Sequence, residues 1–125
     1  MDLHAETSED TLTIRLDEAR LDAAIALAFK DRLRDLVPGA PSVVMLDLAS
    51  VTFLDSSGLG AIVAVMKAFG PARRFVLTGV TPNVARVLRL TRMDTVMTIV
   101  PGLDGAEGGL DAVPSPSPGD PRNVA

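Results

Sequence analysis

A chain of 125 residues with 47% hydrophobic residues is long enough for one globular domain with a single core. The absence of cysteine excludes disulfides and thiolate chemistry and is typical of a reducing compartment. The net charge of −4 argues against direct binding to nucleic acid, and the lack of a signal peptide or a membrane-length apolar stretch predicts a cytoplasmic protein without membrane insertion.

The first predicted elements are a strand and a helix. Residues 11–16 alternate polar and apolar side chains, which is typical of a half-buried strand. From Leu21 the apolar residues recur at helical spacing, Asp22 is a candidate N-cap, and Pro38 with Gly39 ends the run. The apolar stripe consists of Ile25, Phe29, Leu33 and Leu36. We expect a surface helix with one buried face, preceded by a frayed N-terminus that contains His4.

The segment 51–70 contains a change from extended to helical spacing. It follows residues 42–48, whose continuous apolar character favours a covered central strand. The apolar residues Val51, Phe53 and Leu54 precede Asp55-Ser-Ser-Gly58, and apolar residues at helical spacing follow directly. Asp and Ser start helices because their side-chain oxygens accept hydrogen bonds from free backbone amides. The pattern therefore places Ser56 and Ser57 at a helix N-terminus.

The predicted second helix has an unusual outer face, because Lys67 is its only charged residue. The inward set is predicted to be Leu59, Ile62, Val63, Met66 and Phe69. The small residues Gly60, Ala61, Ala64 and Ala68 are then predicted to lie on the other side. Such a face is typical of a docking surface, and the alternative is that another helix of the same domain covers it.

The remaining elements continue the alternation of strands and helices. Residues 74–78 read as a strand, Thr81 and Pro82 as a helix start, and residues 96–100 as a last strand. Val84, Val87 and Leu88 are predicted to face inward from that third helix. This order predicts a small α/β domain with right-handed crossovers.

The C-terminal segment 101–125 differs in composition from the rest. It holds five of the nine prolines and five of the ten glycines, and its four carboxylates outnumber its single arginine. Because it has few apolar side chains to offset the entropy of ordering, we predict a disordered Pro/Gly-rich acidic tail after a domain that spans residues 1–100.

Catalytic constellations are largely missing from the sequence. His4 is the single histidine, so a Ser-His-Asp hydrolase has no suitable base for Ser56 or Ser57. Gly58 and Gly60 match half of a dinucleotide fingerprint, but Val63 occupies the third glycine position. With no P-loop and no metal-ligand spacing, we predict a protein that is not an enzyme and has no metal or cofactor. The helix N-terminus favours an anion on a serine, although an ordinary N-cap also accounts for these residues.

The segment Val51-Thr-Phe-Leu-Asp-Ser-Ser-Gly-Leu-Gly60, following an apolar strand, closely resembles the signature of STAS domains of the bacterial anti-sigma-factor antagonist type. Arg20-Leu-Asp22 stands where the family usually has Gly-Glu-Leu-Asp, and residues 76–80 also fit. The resemblance covers residues 8–100. Two departures concern the partner: Glu18 or Ala19 replaces the glycine, and Arg20 replaces the usual acid.

The resemblance implies a mixed sheet with packed helices and a partner switch that regulates transcription. In this family the serine directly after the aspartate, here Ser56, is phosphorylated by an anti-sigma factor that is a serine kinase, and a serine phosphatase restores it. Ser57 is the second choice. The implied partner-binding residues are Asp22, Asp55, Ser56, Ser57, Gly58, Gly60, Ala61 and Ala64. The alternative is a STAS-like subunit of a larger assembly, such as a lipid-transport complex or a stress-signalling scaffold, that binds constitutively through the same helix.

Overall fold

A five-stranded sheet and a two-stranded ribbon carry three helices in residues 1–100, the part of the chain that this computed structural model describes. The strands are β1 (Leu3–Ser8), β2 (Thr11–Leu16), β3 (Arg20–Leu21), β4 (Val43–Asp47), β5 (Phe53–Leu54), β6 (Arg74–Thr78) and β7 (Thr98–Val100). The helices are α1 (Ala26–Arg34), α2 (Ser56–Phe69) and α3 (Pro82–Leu90), with a 3₁₀ turn at Met93–Thr95. The predicted disordered tail, 101–125, lies outside the described residues. Within residues 1–100, each helix is too short or too polar to cross a membrane.

The main sheet is mixed, in the order β1-β2-β4-β6-β7. The β1–β2 pair is antiparallel, and the β2–β4, β4–β6 and β6–β7 pairs are parallel. The ribbon consists of β3 and β5, which pair in parallel. The prediction of a small α/β domain with a mixed sheet and packed helices is thus confirmed.

The core lies between the sheet and the helices. Leu12, Ile14 and Leu16 of β2 are buried, as their alternation predicts, while residues 75–78 of β6 are buried consecutively because both faces of this strand are covered. The helices contribute the buried side chains of Phe29, Leu33, Ile62, Val65, Phe69, Val84 and Leu88. Burial of apolar area, at about 25 cal/mol per Å², is the main stabilising contribution of this layer.

The N-terminus forms a strand, so the expectation of a frayed segment around His4 is wrong. Strand β1 pairs with β2 along its whole length, from Leu3 opposite Leu16 to Ser8 opposite Thr11. Its side chains are mostly exposed, and His4 Nε2 lies 2.9 Å from Asp2 Oδ1 at the surface. Backbone hydrogen bonds to β2 at the edge of the sheet stabilise this strand. Because its side chains are mostly polar, the sequence does not indicate a strand here.

Helix α1 begins later than predicted, because Asp22 holds a turn that precedes the helix. The carbonyl of Asp22 accepts hydrogen bonds from the amides of Ile25 and Ala26, and its Oδ1 accepts one from Ala24 N at 3.1 Å. The N-cap position is occupied by Ile25, whose side chain makes no capping bond. Asp22 therefore stabilises an Asx-type turn and does not cap the helix. An aspartate side chain can form either arrangement with nearby backbone amides.

Candidate functional site

Ser56 and Ser57 are the first two residues of α2, which confirms the predicted helix start. Both side chains are exposed. Neither hydroxyl takes part in a hydrogen bond with any residue between 1 and 100. These are consequently two accessible hydroxyl groups on an ordered backbone.

Asp55 joins the start of α2 to the turn before α1. It adopts an extended N-cap conformation with φ −103° and ψ −174°, and its Oδ1 accepts a hydrogen bond from Gly58 N at 2.8 Å. The other oxygen, Oδ2, accepts from Ala23 N at 3.2 Å. A side chain that satisfies one otherwise unpaired helix amide contributes about 1 kcal/mol, and here the same carboxylate also fixes a second segment. The backbone that presents Ser56 is therefore held from two sides.

The first turn of α2 packs directly on the β3–β5 ribbon. In this ribbon Leu21 lies opposite Leu54, and both side chains are buried beneath the helix start. A Cβ on Gly58 would overlap the carbonyl oxygen of Leu21 and lie 2.8 Å from Leu54 Cδ1. Only glycine allows this close approach, so Gly58 has a steric role in building the site.

An ionic and aromatic cluster occupies the exposed side of the same ribbon. Arg20 lies opposite Phe53, and its guanidinium carbon is 4.0 Å from the centre of the Phe53 ring. Arg20 Nε donates to Asp22 Oδ2 at 3.1 Å. The side chain of Arg20 is 61% exposed and that of Asp22 only 20%. Sequence reasoning missed this cluster, because the pairing of two-residue strands far apart in the chain gives no periodic signal.

The loop that leads to Asp55 is also fixed. The amides of Thr52 and Phe53 donate to the carbonyl of Ala19 at 2.8 and 3.1 Å. From the other side, the Thr81 hydroxyl donates to the carbonyl of Val51, and Asn83 Nδ2 donates to that of Thr52 at 3.2 Å. The start of α3 thereby stabilises the loop that leads to the two serines.

A shallow groove separates α1 from the first half of α2. It is lined by Ala23, Ala26, Leu27, Lys30, Ser57, Gly60 and Ala61. Leu27 is 64% exposed and contributes the largest apolar side chain of this lining. The groove combines small and apolar side chains with two polar ones, Lys30 and Ser57.

The predicted faces of α2 differ from the structure at several positions. Ala61 was assigned to the outer side, but it is only 6% exposed, because α1 packs against α2 at this level. Val65 is fully buried and was missed, whereas Leu59, Val63 and Met66 are half-buried. Gly60 is exposed and Ala64 is half-buried. Small residues are typical both of a docking face and of a close contact between helices, so residue size alone does not distinguish these two alternatives. In the structure, α1 covers part of this face of α2 and leaves the rest open.

Three potential metal ligands lie close together away from these residues. Within residues 1–100, Asp2, His4 and Asp17 form a group whose possible ligand atoms all lie within 4.8 Å of one another. All three side chains are exposed, and none belongs to the serine-bearing helix start or to the groove. The candidate site itself contains the two serine hydroxyls, the Asp55 cap, the cluster of Arg20, Asp22 and Phe53, and the residues that line the groove.

A family model described as STAS domain matches residues 2–106. The fold is similar to an anti-sigma factor antagonist from Mycobacterium paratuberculosis, with TM-score 0.74 and 24% identity over 82% of this chain and 87% of that chain. A putative anti-sigma factor antagonist from Thermotoga maritima has TM-score 0.71 and 26% identity, over 78% and 84% of the two chains. The Bacillus cell fate determinant SpoIIAA in its phosphorylated form has TM-score 0.60 and 22% identity, over 79% and 91%.

Proposed function

The chain belongs to the STAS domain family, and we propose that it is an anti-sigma-factor antagonist that binds an anti-sigma serine kinase under the control of phosphorylation at Ser56. The observation that carries this proposal is the exposed, unbonded hydroxyl of Ser56 on a backbone fixed by Asp55. The similarity to antagonists, one of them a phosphorylated form, supports it.

The chemistry at Ser56 is a simple phosphoryl transfer. The serine oxygen forms a bond to the γ-phosphorus of ATP, the bond from that phosphorus to its bridging oxygen breaks, and ADP and a proton leave. An acceptor must enter the kinase site without breaking bonds of its own, which suits a hydroxyl without a partner in the fold. All catalytic groups then belong to the kinase, and the antagonist is a binding protein.

The consequence for binding follows from charge and desolvation. A phosphate adds about −1.5 to −2 charges at pH 7. This charge would stand between Asp55 and Ser57, and Ser57 lines the groove together with Leu27 and Lys30. Docking of a partner removes water from the start of α2, and desolvation of the phosphate costs several kcal/mol even where a cation of this chain pairs with it. The unmodified form therefore binds the kinase and releases the sigma factor, and the phosphorylated form does not until a serine phosphatase removes the phosphate.

This switch regulates transcription in the cytoplasm through protein contacts alone. The net charge of −4 fits a chain that does not itself contact DNA. The partner-facing residues are those around the helix start and the groove, namely Asp22, Asp55, Ser56, Ser57, Gly58, Gly60 and Ala64. Ala61 takes part only by setting the separation of α1 and α2, since it is buried.

Incubation of the full chain with its partner kinase and ATP tests the proposal. We expect one added phosphate, mapped to Ser56 by mass spectrometry, retained in Ser57→Ala and lost in Ser56→Ala. The two variants are matched, because both serines are exposed and lie in the same first turn. A phosphate confined to Ser57 overturns the site. Stable binding of partners without any phosphorylation would instead support constitutive docking in a larger assembly.

A further inference from the structure

We propose that Arg20 is the intramolecular partner of a phosphate on Ser56, and that its guanidinium exchanges the carboxylate of Asp22 for that phosphate. The inference rests on the proposed phosphorylation of Ser56. It adds to that proposal the group within this chain that pairs with the new charge.

Position is the first support. Arg20 and Leu21 run parallel to Phe53 and Leu54, and the alignment continues where Ala23 N donates to Asp55 Oδ2 at 3.2 Å. Arg20 Nε donates to Asp22 Oδ2 at 3.1 Å, and Asp22 directly precedes Ala23. Ser56 directly follows Asp55 at the same end of the ribbon. The cation therefore lies on the strand that runs beside the segment leading to the serine.

The guanidinium is also held in a receptive state. Its carbon stacks 4.0 Å from the centre of the Phe53 ring, which fixes the plane of the group. Asp22 engages Nε, while the two terminal nitrogens make no hydrogen bond with any residue from 1 to 100. The two terminal nitrogens of Arg20 are therefore free donors in one plane, held by the stack on Phe53. Their geometry matches two oxygens of a phosphate.

Exchange of partners costs the fold little. Asp22 Oδ1 still accepts from Ala24 N after Oδ2 has lost Arg20, so the turn before α1 is retained. Asp55 is a weaker competitor for the cation than a phosphate, because each of its oxygens already accepts one hydrogen bond, from Gly58 N and from Ala23 N. A phosphate brings more charge and more acceptor oxygens than one carboxylate oxygen, which favours the new pair.

Lys30 is the cation on the other side of the helix start, where it lines the groove together with Ser57. It belongs to α1 and faces the groove wall, whereas Arg20 belongs to the ribbon that precedes Ser56. The two cations thus provide a matched comparison: a phosphate on Ser56 is assigned to Arg20, and Lys30 serves as a control for a general effect of positive charge.

The test uses the full chain with phosphoserine installed at position 56 during translation, so that no kinase is needed. Phosphorus NMR then gives the second pKa of the phosphate, ordinarily about 6, in the unchanged background and in Arg20→Gln, Arg20→Lys and Lys30→Gln. The charged side chains on the segments around the start of α2 are Arg20, Asp22, Asp55 and Lys30. Because a paired cation favours the dianion, we expect Arg20→Gln to raise the pKa by roughly half a unit or more, Lys30→Gln to leave it nearly unchanged, and Arg20→Lys to give an intermediate value.

Equal pKa values in the unchanged background and in Arg20→Gln would overturn the assignment, and so would a larger rise in Lys30→Gln. Arg20 is exposed, so its variants are expected to fold, and an amide NMR spectrum verifies this for each one. The outcome is separate from that of the kinase reaction: failure of a kinase to modify Ser56 rejects the proposed switch, whereas an insensitive phosphate pKa rejects only the role of Arg20.

Discussion

Gly58 lies directly against the backbone of Leu21: a Cβ at position 58 would overlap the carbonyl oxygen of Leu21 and lie 2.9 Å from its carbonyl carbon. The same glycine donates its amide to Asp55 Oδ1 at 2.8 Å. Packing of the helix on the ribbon and capping of the helix therefore depend on one position, two residues beyond Ser56.

Substitution of Gly58 by alanine is expected to destabilise the domain by about 1–3 kcal/mol, the usual cost of forcing extra volume into packed backbone. Gly60→Ala is the matched control, since it lies in the same helix and a Cβ there has no atom within 4 Å. Alanine at position 60 should stabilise by up to about 1 kcal/mol because of its helix propensity. Urea denaturation of both variants measures the difference, and equal free energies of unfolding would contradict the close contact.

Removal of the Asp55 carboxylate should loosen two segments at once. Asp55→Ala is expected to lower the free energy of unfolding by about 1–2 kcal/mol, since the cap of α2 is lost. Faster hydrogen exchange should follow at the amide of Gly58 and also at that of Ala23, which lies 32 positions away in sequence. As a control, Asp22→Ala removes the bond to Ala24 N and should leave the Gly58 amide protected. Unchanged exchange at Ala23 in Asp55→Ala would show that the second bond does not form in solution.

Deletion of the residues after Pro101 should change the free energy of unfolding by less than about half a kcal/mol, because that segment contains few apolar side chains. A deletion after Val96 is the contrasting variant. It removes the buried Met97 and strand β7, which pairs with β6, and should destabilise the domain strongly. Thermal unfolding of the two truncated chains distinguishes them, and a large loss in the shorter deletion would show that the tail contributes to the fold.

Elements with a strong periodic signal were predictable from the sequence. Strands β2 and β6 and the start of α2 follow from alternation, apolar runs and the Asp-Ser capping chemistry, all of which act within a few residues. Strand β1 was missed because its stability comes from backbone pairing at an edge rather than from buried side chains. The ribbon of β3 and β5 was missed because two residues per strand are too few for a pattern.

The site was predictable only where its residues act locally. The cap formed by Asp55 spans three residues, and the sequence indicates it. The bond from Ala23 to Asp55 and the stack of Arg20 on Phe53 join segments more than 30 residues apart, so they exist only through the fold. Ala61 is buried because α1 lies close to α2. The apolar pattern of α2 by itself does not indicate the distance between the two helices.

The groove between α1 and α2 is the proposed docking surface, and Gly60→Glu tests it. The change should leave the domain folded, because position 60 opens to solvent and glutamate has a higher helix propensity than glycine. Binding to the partner kinase should fall by roughly a hundredfold, since the new side chain occupies the groove and its carboxylate, even beside Lys30, must be desolvated at a cost of several kcal/mol. Ala72→Glu is the matched control, because it adds the same charge at an exposed position after the C-terminal end of α2.

Chemical denaturation and a binding titration against the kinase are both required for Gly60→Glu and Ala72→Glu. The expected result is two folded variants, of which only Gly60→Glu loses affinity. Ala61→Glu completes the series, since this position is buried and the variant should lose stability rather than affinity alone. Normal binding by a folded Gly60→Glu variant would show that the partner docks elsewhere, and equal loss in Ala72→Glu would mean that net charge, rather than the groove, governs the contact.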